Sequence, residues 1–344
     1  MSQYINKKKT SLYLLVLIVI TFFIYLTIFK NQDFSKIAEV IASANPIIII
    51  CATSLIILFI FCEAFNINLL LNSMNYNISF LNSIKYAITG FFYSSITPSS
   101  TGGQPMQLYK MKRDGINLSH GTLVLLVELA CFQTVTLILG GTSLIWASMT
   151  NIQITSFIKF LAVLGFFINI LIVISIWISI FSKSFSEKVY GFICFLVNKL
   201  FFISEIKKEK IIYSLKSSLK KYNECAEFLK KQPILFLKCL SITTIQVVGL
   251  FSIPYVVYLA LNEKGTSFIS MFIIQSIVYL ASSFIPMPGA AGISENNYIS
   301  LFSKIYPIGV LNSAVLLTRV VNFYLPLIIT FIALLGIEIA SKKR

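Results

Sequence analysis

Six apolar segments, at residues 7–29, 46–71, 119–146, 156–181, 233–261 and 307–337, each approach or exceed the roughly 20 residues that carry a helix across a bilayer. Nothing else in the chain constrains its fold as strongly. Hydrophobic residues make up 57% and charged residues 12% of the 344, where a soluble domain has about 25% charged. The runs are continuous and rich in Ile, Leu and Phe rather than alternating in ~10-residue segments, so they predict helical spans and not an outer-membrane barrel. The fold class expected is an all-α integral membrane protein. The first run has a basic start and is too long for a signal-peptide core. The small residues Ala42-Ser43-Ala44 lie far beyond it, so a retained helix is expected.

Two further apolar stretches, 84–96 and 267–303, are short or broken by Gly and Pro. If the six long runs span and these two dip in and return, both termini fall on the cytoplasmic side. The basic residues test that arrangement. Of 28 Lys and Arg, 21 then lie inside and four outside, with Lys159, Lys238 and Arg319 in segments. The asymmetry agrees with the positive-inside rule, and predicts a multi-pass protein of the cell membrane with both termini cytoplasmic. It also makes the two interrupted hairpins, about 84–110 and 267–304, enter from opposite sides. That is the pattern of an inverted repeat with halves 1–181 and 233–344. Between the halves, residues 182–232 are basic and partly apolar and predict one or two amphipathic helices on the inner leaflet.

The net charge of +15 flanks apolar segments, where it sets topology and meets anionic lipid; no direct nucleic-acid partner is expected. The six cysteines are scattered without a C-x-x-C pair, and His120 is the single histidine, so neither a metal site, a disulfide framework nor a cofactor is predicted.

The breaks carry the functional signal. Backbone without helical hydrogen bonds survives at membrane depth only within protein or beside a watery cavity. In the first break Thr97, Pro98, Ser99, Thr101, Gly102, Gly103 and Gln104 separate two helices. Pro98 is expected to end one, the glycines to allow a tight turn with exposed amides, and Pro105 to take the first position of the next. A helix N-terminus flanked by hydroxyls, those of Ser94, Ser95 and Ser100 included, suits an anion. Tyr109, Lys110, Lys112 and Arg113 follow at the expected cytoplasmic mouth. The second break repeats the chemistry with Ser282, Ser283, Pro286, Pro288, Gly289 and Gly292, and a new helix near Ser294 and Glu295. A phosphate-bearing lipid headgroup fits the combination, and Glu295 could meet an amine. No Walker spacing is present. Glu128 and Arg319 lie deep in apolar runs, where charge is costly and is usually paired, so they are expected to face the cavity and to meet each other or substrate. Glu63, Tyr93, Asn322 and Tyr324 are further candidates.

These stretches resemble the signatures of the lysylphosphatidylglycerol synthase/flippase transmembrane-region family, the membrane half of MprF-type proteins. "TPSSTGGQP" with "MQLYKMKRDGI" is similar to the family's TPs-x-x-GGEP-x-R/K, and "PMPGAAGISE" to its P-x-PGG-x-G-x-x-E. Glu128 matches a family Glu, and Arg319 in "LLTRVVNFYLPLI" the family Arg of R-x-x-x-(F/Y)-(W/Y)-LP. The resemblance runs from about Leu12 to Ile339. Gln104 stands where the family has Glu, Ala290 and Ala291 where it has glycines, and "FCEAFNINLLL" lacks an arginine pair. The resemblance implies a flippase-like protein that binds and moves a phospholipid, anionic or lysyl-modified. The alternative it implies is a phosphatidylglycerol lysyltransferase or its lipid-presenting subunit, which would take a separate synthase subunit as partner, since no aqueous stretch of the sequence is large enough to hold tRNA. A homo-oligomer is compatible with either.

Overall fold

The computed structural model describes residues 34–97, 100–150, 154–199, 205–283, 293–307 and 309–342. The predicted first span at 7–29 lies outside them, as do Pro98, Ser99, Pro286, Pro288, Gly289 and Gly292. All regular structure among the described residues is helical. Five helices are long and apolar enough to cross a membrane: α2 (Pro46–Ser73), α5 (Leu118–Met149), α6 (Ser156–Phe181), α9 (Pro233–Ala260) and the segment Leu311–Ile337, which comprises α12 (Leu311–Arg319), a π-helical turn (Val320–Tyr324) and most of α13 (Leu325–Lys342). The protein is an all-α, multi-pass membrane protein. On α6 the exposed face is Phe157, Phe160, Phe167 and Leu171, which suits lipid and not water.

The helix ends follow local rules. Asn45 and Asn117 cap α2 and α5 by accepting from the amides of Ile47 and Ser119 at 3.0 Å. Pro46 at the start of α2 and Pro233 at the start of α9 sit where no helical N–H is needed.

The first interrupted stretch folds as α3 (Phe80–Ile96) and α4 (Gly103–Arg113), which pack on each other, and α3 also packs on α2 and α13. Helix α4 stops in a Schellman turn: Gly115, at φ 88°, donates to the Lys112 carbonyl, and Ile116 donates to that of Met111. Ile116 and Met111 are both buried in the same core. The second stretch forms α10 (Phe268–Ser283) and α11 (Ile293–Phe302), also in contact. Helix α11 begins at Ile293, so the predicted helix start is present; the Glu295 side chain lies outside the description.

Residues 182–232 form two helices, α7 (Lys183–Lys199) and α8 (Glu205–Lys230), packed together, with α8 also against α5, α6 and α9. Lys208 is buried there by an ion pair to Glu205 at 2.8 Å and a bond to the Asn198 carbonyl. Tyr222 donates to the Ser179 carbonyl at 2.8 Å, and burial pushes its phenol up to about 12. A short helix without a counterpart in the sequence reading, α1 (Phe34–Ala42), packs on α12.

The two largest apolar clusters organise the bundle. One joins α2, α5 and α6 to α9–α12; the other joins α2–α6 to α8 and α9. Helices α2 and α9 take part in both and share the most extensive helix–helix contact.

Candidate functional site

A cavity of about 690 Å³, within the range of small-molecule sites, opens among α2, α3, α4, α5, α9, α10, α11 and α12. Its walls are aromatic, with Phe59, Phe91, Phe132, Phe251 and Tyr279 among them. Phe132 meets Phe59 and Tyr279 edge to face at ring distances of 6.0 and 6.4 Å. Against this apolar lining stand, among the described residues, two carboxyls and a guanidinium: Glu63 from α2, Glu128 from α5 and Arg319 from the end of α12. Glu128 and Arg319, nearly two hundred residues apart in sequence, therefore face one space, as expected. The Arg319 guanidinium also lies 5.6 Å from the centre of the Phe323 ring.

Glu63 has a larger part than its place among the further candidates suggested. Its Oε1 accepts from Gln107 Nε2 at 2.5 Å, so the first hairpin is fastened to α2 through a carboxyl. Gln107, 3% exposed, reaches Glu63 across α3 at Gly90, where a Cβ would lie 2.2 Å from Gln107 Nε2. No sequence motif pairs residues 63 and 107. The signal available was Gly90 in an otherwise regular helix, which marks a close approach.

Of the first break, Ser100, Thr101 and Gln104 line the cavity, together with Ser94 and Ser95. Thr97, Gly102, Gly103, Tyr109, Lys110 and Arg113 are not part of its lining, so the basic group and the glycines stand outside the pocket proper. Three details correct the sequence reading. Pro105 occupies the third position of α4, which begins at Gly103; the first four amides of a helix have no intrahelical acceptor, so a proline is tolerated there too. The left-handed turn residue is Ser100, at φ 55°, while Gly102 is right-handed. The glycines serve close packing instead: a Cβ on Gly103 would lie 2.7 Å from the Gly90 carbonyl, and one on Gly102 would lie 2.6 Å from Thr97 Cγ2. Finally, some of the expected donors are used within the hairpin. Thr97 Oγ1 donates to the Tyr93 carbonyl and accepts from Gly102, Ser95 donates to Phe91, and Ser94 to Ser100. Thr97 itself is extended, as a residue before proline must be.

From the second hairpin, Ser282 and Ser283 line the cavity. Ser283 accepts from Asn169 Nδ2 of α6 at 3.0 Å and Ser282 from Asn297 Nδ2 of α11 at 3.1 Å.

The wall also carries amides that sequence reasoning did not single out, Gln133 and Gln275. Their Oε1 atoms, like Asn322 Oδ1, are buried without a hydrogen-bond partner. The helical ladder is interrupted at the same place. Pro254 leaves the carbonyl of cavity-lining Leu250 without its i+4 donor, and Pro326 does the same for Asn322. After Arg319 the chain absorbs the second defect as a π turn, in which the Leu325 amide donates to the Val320 carbonyl. "NFYLP" was the readable sign of it.

Comparison with known proteins agrees with this architecture. Residues 13–330 match the family described as Lysylphosphatidylglycerol synthase TM region. The chain belongs to that family. The chain is similar to a UPF0104 membrane protein of Archaeoglobus fulgidus, 27% identical over 300 residues, covering 86% of this chain and 88% of the relative. It is also similar to the UPF0104 membrane protein MJ1595 of Methanocaldococcus jannaschii, 24% identical over 341 residues, covering 95% and 96%. The family match spans both hairpins and the three residues Glu63, Glu128 and Arg319.

Proposed function

We propose that this member of the lysylphosphatidylglycerol synthase TM-region family binds a phospholipid headgroup in the central cavity and carries it between leaflets, with lysyl-phosphatidylglycerol or a related lipid as substrate. The observation that carries the reading is a cavity that holds two carboxyls and a guanidinium inside a bundle whose outer surface is lipid-like. The barrier to flipping is the headgroup's passage through roughly 30 Å of hydrocarbon. A groove offering Arg319 to phosphate and Glu63, Glu128 and amide oxygens to amine or hydroxyl groups lowers it, while the acyl tails stay in lipid.

In this reading residues 1–181 and 233–344 act as inverted halves, their hairpins opening to opposite sides of a plasma membrane with both termini cytoplasmic. Ser282 and Ser283 of the second hairpin then meet the same headgroup as Ser100, Thr101 and Gln104 of the first. Helices α7 and α8 rest on the anionic inner leaflet through their lysines. Membrane phospholipids are the partners required.

Reconstitution into liposomes with acyl-labelled phosphatidylglycerol or lysyl-phosphatidylglycerol tests this, by following loss of signal to a membrane-impermeant quencher. Wild type is expected to expose inner-leaflet lipid, and Arg319→Ala and Glu128→Gln to slow that exposure at least about tenfold, the effect of losing one charged contact worth ~1.4 kcal/mol. No movement above empty liposomes for any headgroup would overturn the reading and favour a lipid-presenting subunit of a synthase.

A further inference from the structure

Translocation as proposed leaves open what drives net movement, and the cavity holds a charge imbalance that bears on it. Among the described lining residues the ionisable groups are Glu63 on α2, Glu128 on α5, Arg319 on α12 and the phenols Tyr279 on α10 and Tyr298 on α11; α3, α4 and α9 contribute none. Two carboxyls face one guanidinium, so Arg319 can balance at most one of them when both are ionised. A carboxylate left without a counter-charge in apolar surroundings is costly by several kcal/mol, and binding a proton removes that cost.

The wall also holds acceptors that lack a donor. The amide oxygens of Gln133, Gln275 and Asn322 are buried without a partner, and a carboxylic acid O–H is a donor of the kind they lack. One of the two carboxyls is mechanically connected. Glu63 accepts from Gln107 of the first hairpin, threaded past Gly90, so the charge on Glu63 bears directly on how firmly that hairpin is held.

We propose that Glu63 and Glu128 form a proton-binding pair that couples lipid movement to a proton gradient, with Gln107 passing the charge state of Glu63 to the first hairpin. The step is a protonation only: an O–H bond forms on a carboxylate oxygen with a proton taken from water on one side, and breaks to water on the other. The inference rests on the translocation reading for its consequence, but not for the existence of the proton site.

Two measurements separate them. In the liposomes above, a pH gradient of one unit should set the final leaflet ratio of labelled lipid about tenfold away from one, in either direction, if one proton accompanies each lipid. The ratio should return to one in Glu63→Gln. Lipid that moves in wild type yet settles at a ratio of one under the gradient overturns the coupling.

Infrared titration of the purified protein in lipid reads the site itself. Wild type should show a carboxylic-acid carbonyl band that fades as pH rises. The Glu63→Gln/Glu128→Gln double variant should lose it, and Gly90→Ala, which displaces Gln107 without touching either carboxyl, should shift it. A band absent from wild type, or unchanged in the double variant, overturns the proton site. A titrating band in a protein that moves no lipid supports the site and sinks the translocation reading alone.

Discussion

The two hairpins are fastened to the bundle by different chemistry. The first, α3–α4, is held through a carboxyl: Gln107 donates to Glu63, and the backbone of α4 sits so close to α3 that Gly103 has no room for a Cβ. The second, α10–α11, is held to α6 by a neutral amide-to-hydroxyl bond, Asn169 to Ser283, and its two helices are tied to each other by Asn297 to Ser282. Both reach the same cavity, but among the described residues the attachment through a carboxyl belongs to the first, and the proposed proton or a charged headgroup would act on it there. A pair of breaks that looks symmetrical in sequence is thus attached differently in its described parts, through a carboxyl in one hairpin and through neutral groups in the other.

Substitutions that abolish this difference should have graded effects. Gly103→Ala should be the most damaging, because the added carbon meets the Gly90 carbonyl, which no side-chain rotation relieves. A loss at the upper end of about 1–3 kcal/mol is expected, read as thermal unfolding in detergent. Glu63→Ala comes next. It leaves the buried Gln107 amide without its acceptor and should cost about 1–3 kcal/mol, while Glu63→Gln, which keeps an acceptor, should lose less than half of that. Equal losses for the two would mean that the contact is packing and not hydrogen bonding.

On the other hairpin, Asn297→Ala should cost about 1 kcal/mol, since each partner of the bond is neutral. Asn169→Ala should be milder still, because Ser283 keeps a bond to the Leu280 carbonyl and is exposed. Hydrogen exchange should then separate the two regions. Amides of α4 are expected to exchange faster in Glu63→Ala, with α10 unchanged, and the reverse is expected in Asn297→Ala. Both hairpins loosening together in either variant would erase the distinction.

Much of the scaffold was legible because long apolar runs have few alternatives in a bilayer. Five of the six predicted spans are helices with bounds within a few residues, and the sixth lies outside the described residues. That Glu128 and Arg319 face one cavity followed from the expense of burying charge. Less legible were the features made by contact. Gln107 reads as an ordinary polar residue of a short helix until the fold sets it against Glu63. The hydroxyls of Thr97 and Ser95 read as donors for a ligand, although carbonyls one helical turn back, those of Tyr93 and Phe91, claim them first. The π turn after Arg319 had its one sign in Pro326, because hydropathy cannot distinguish a continuous helix from one that gains a residue to accommodate a proline.

The central claim is that the headgroup path runs through the charged cavity and not along the outer surface of the bundle. The most direct measurement is photocrosslinking in native-like membranes with a phospholipid carrying a photoactivatable headgroup, followed by mapping of the labelled peptides. The account predicts label on α4 around Gln107, on α5 around Glu128 and on α12 around Arg319, reduced by excess unlabelled lipid. Label confined to the lipid-facing residues of α6, such as Phe160 and Phe167, with the cavity helices clean, would contradict it.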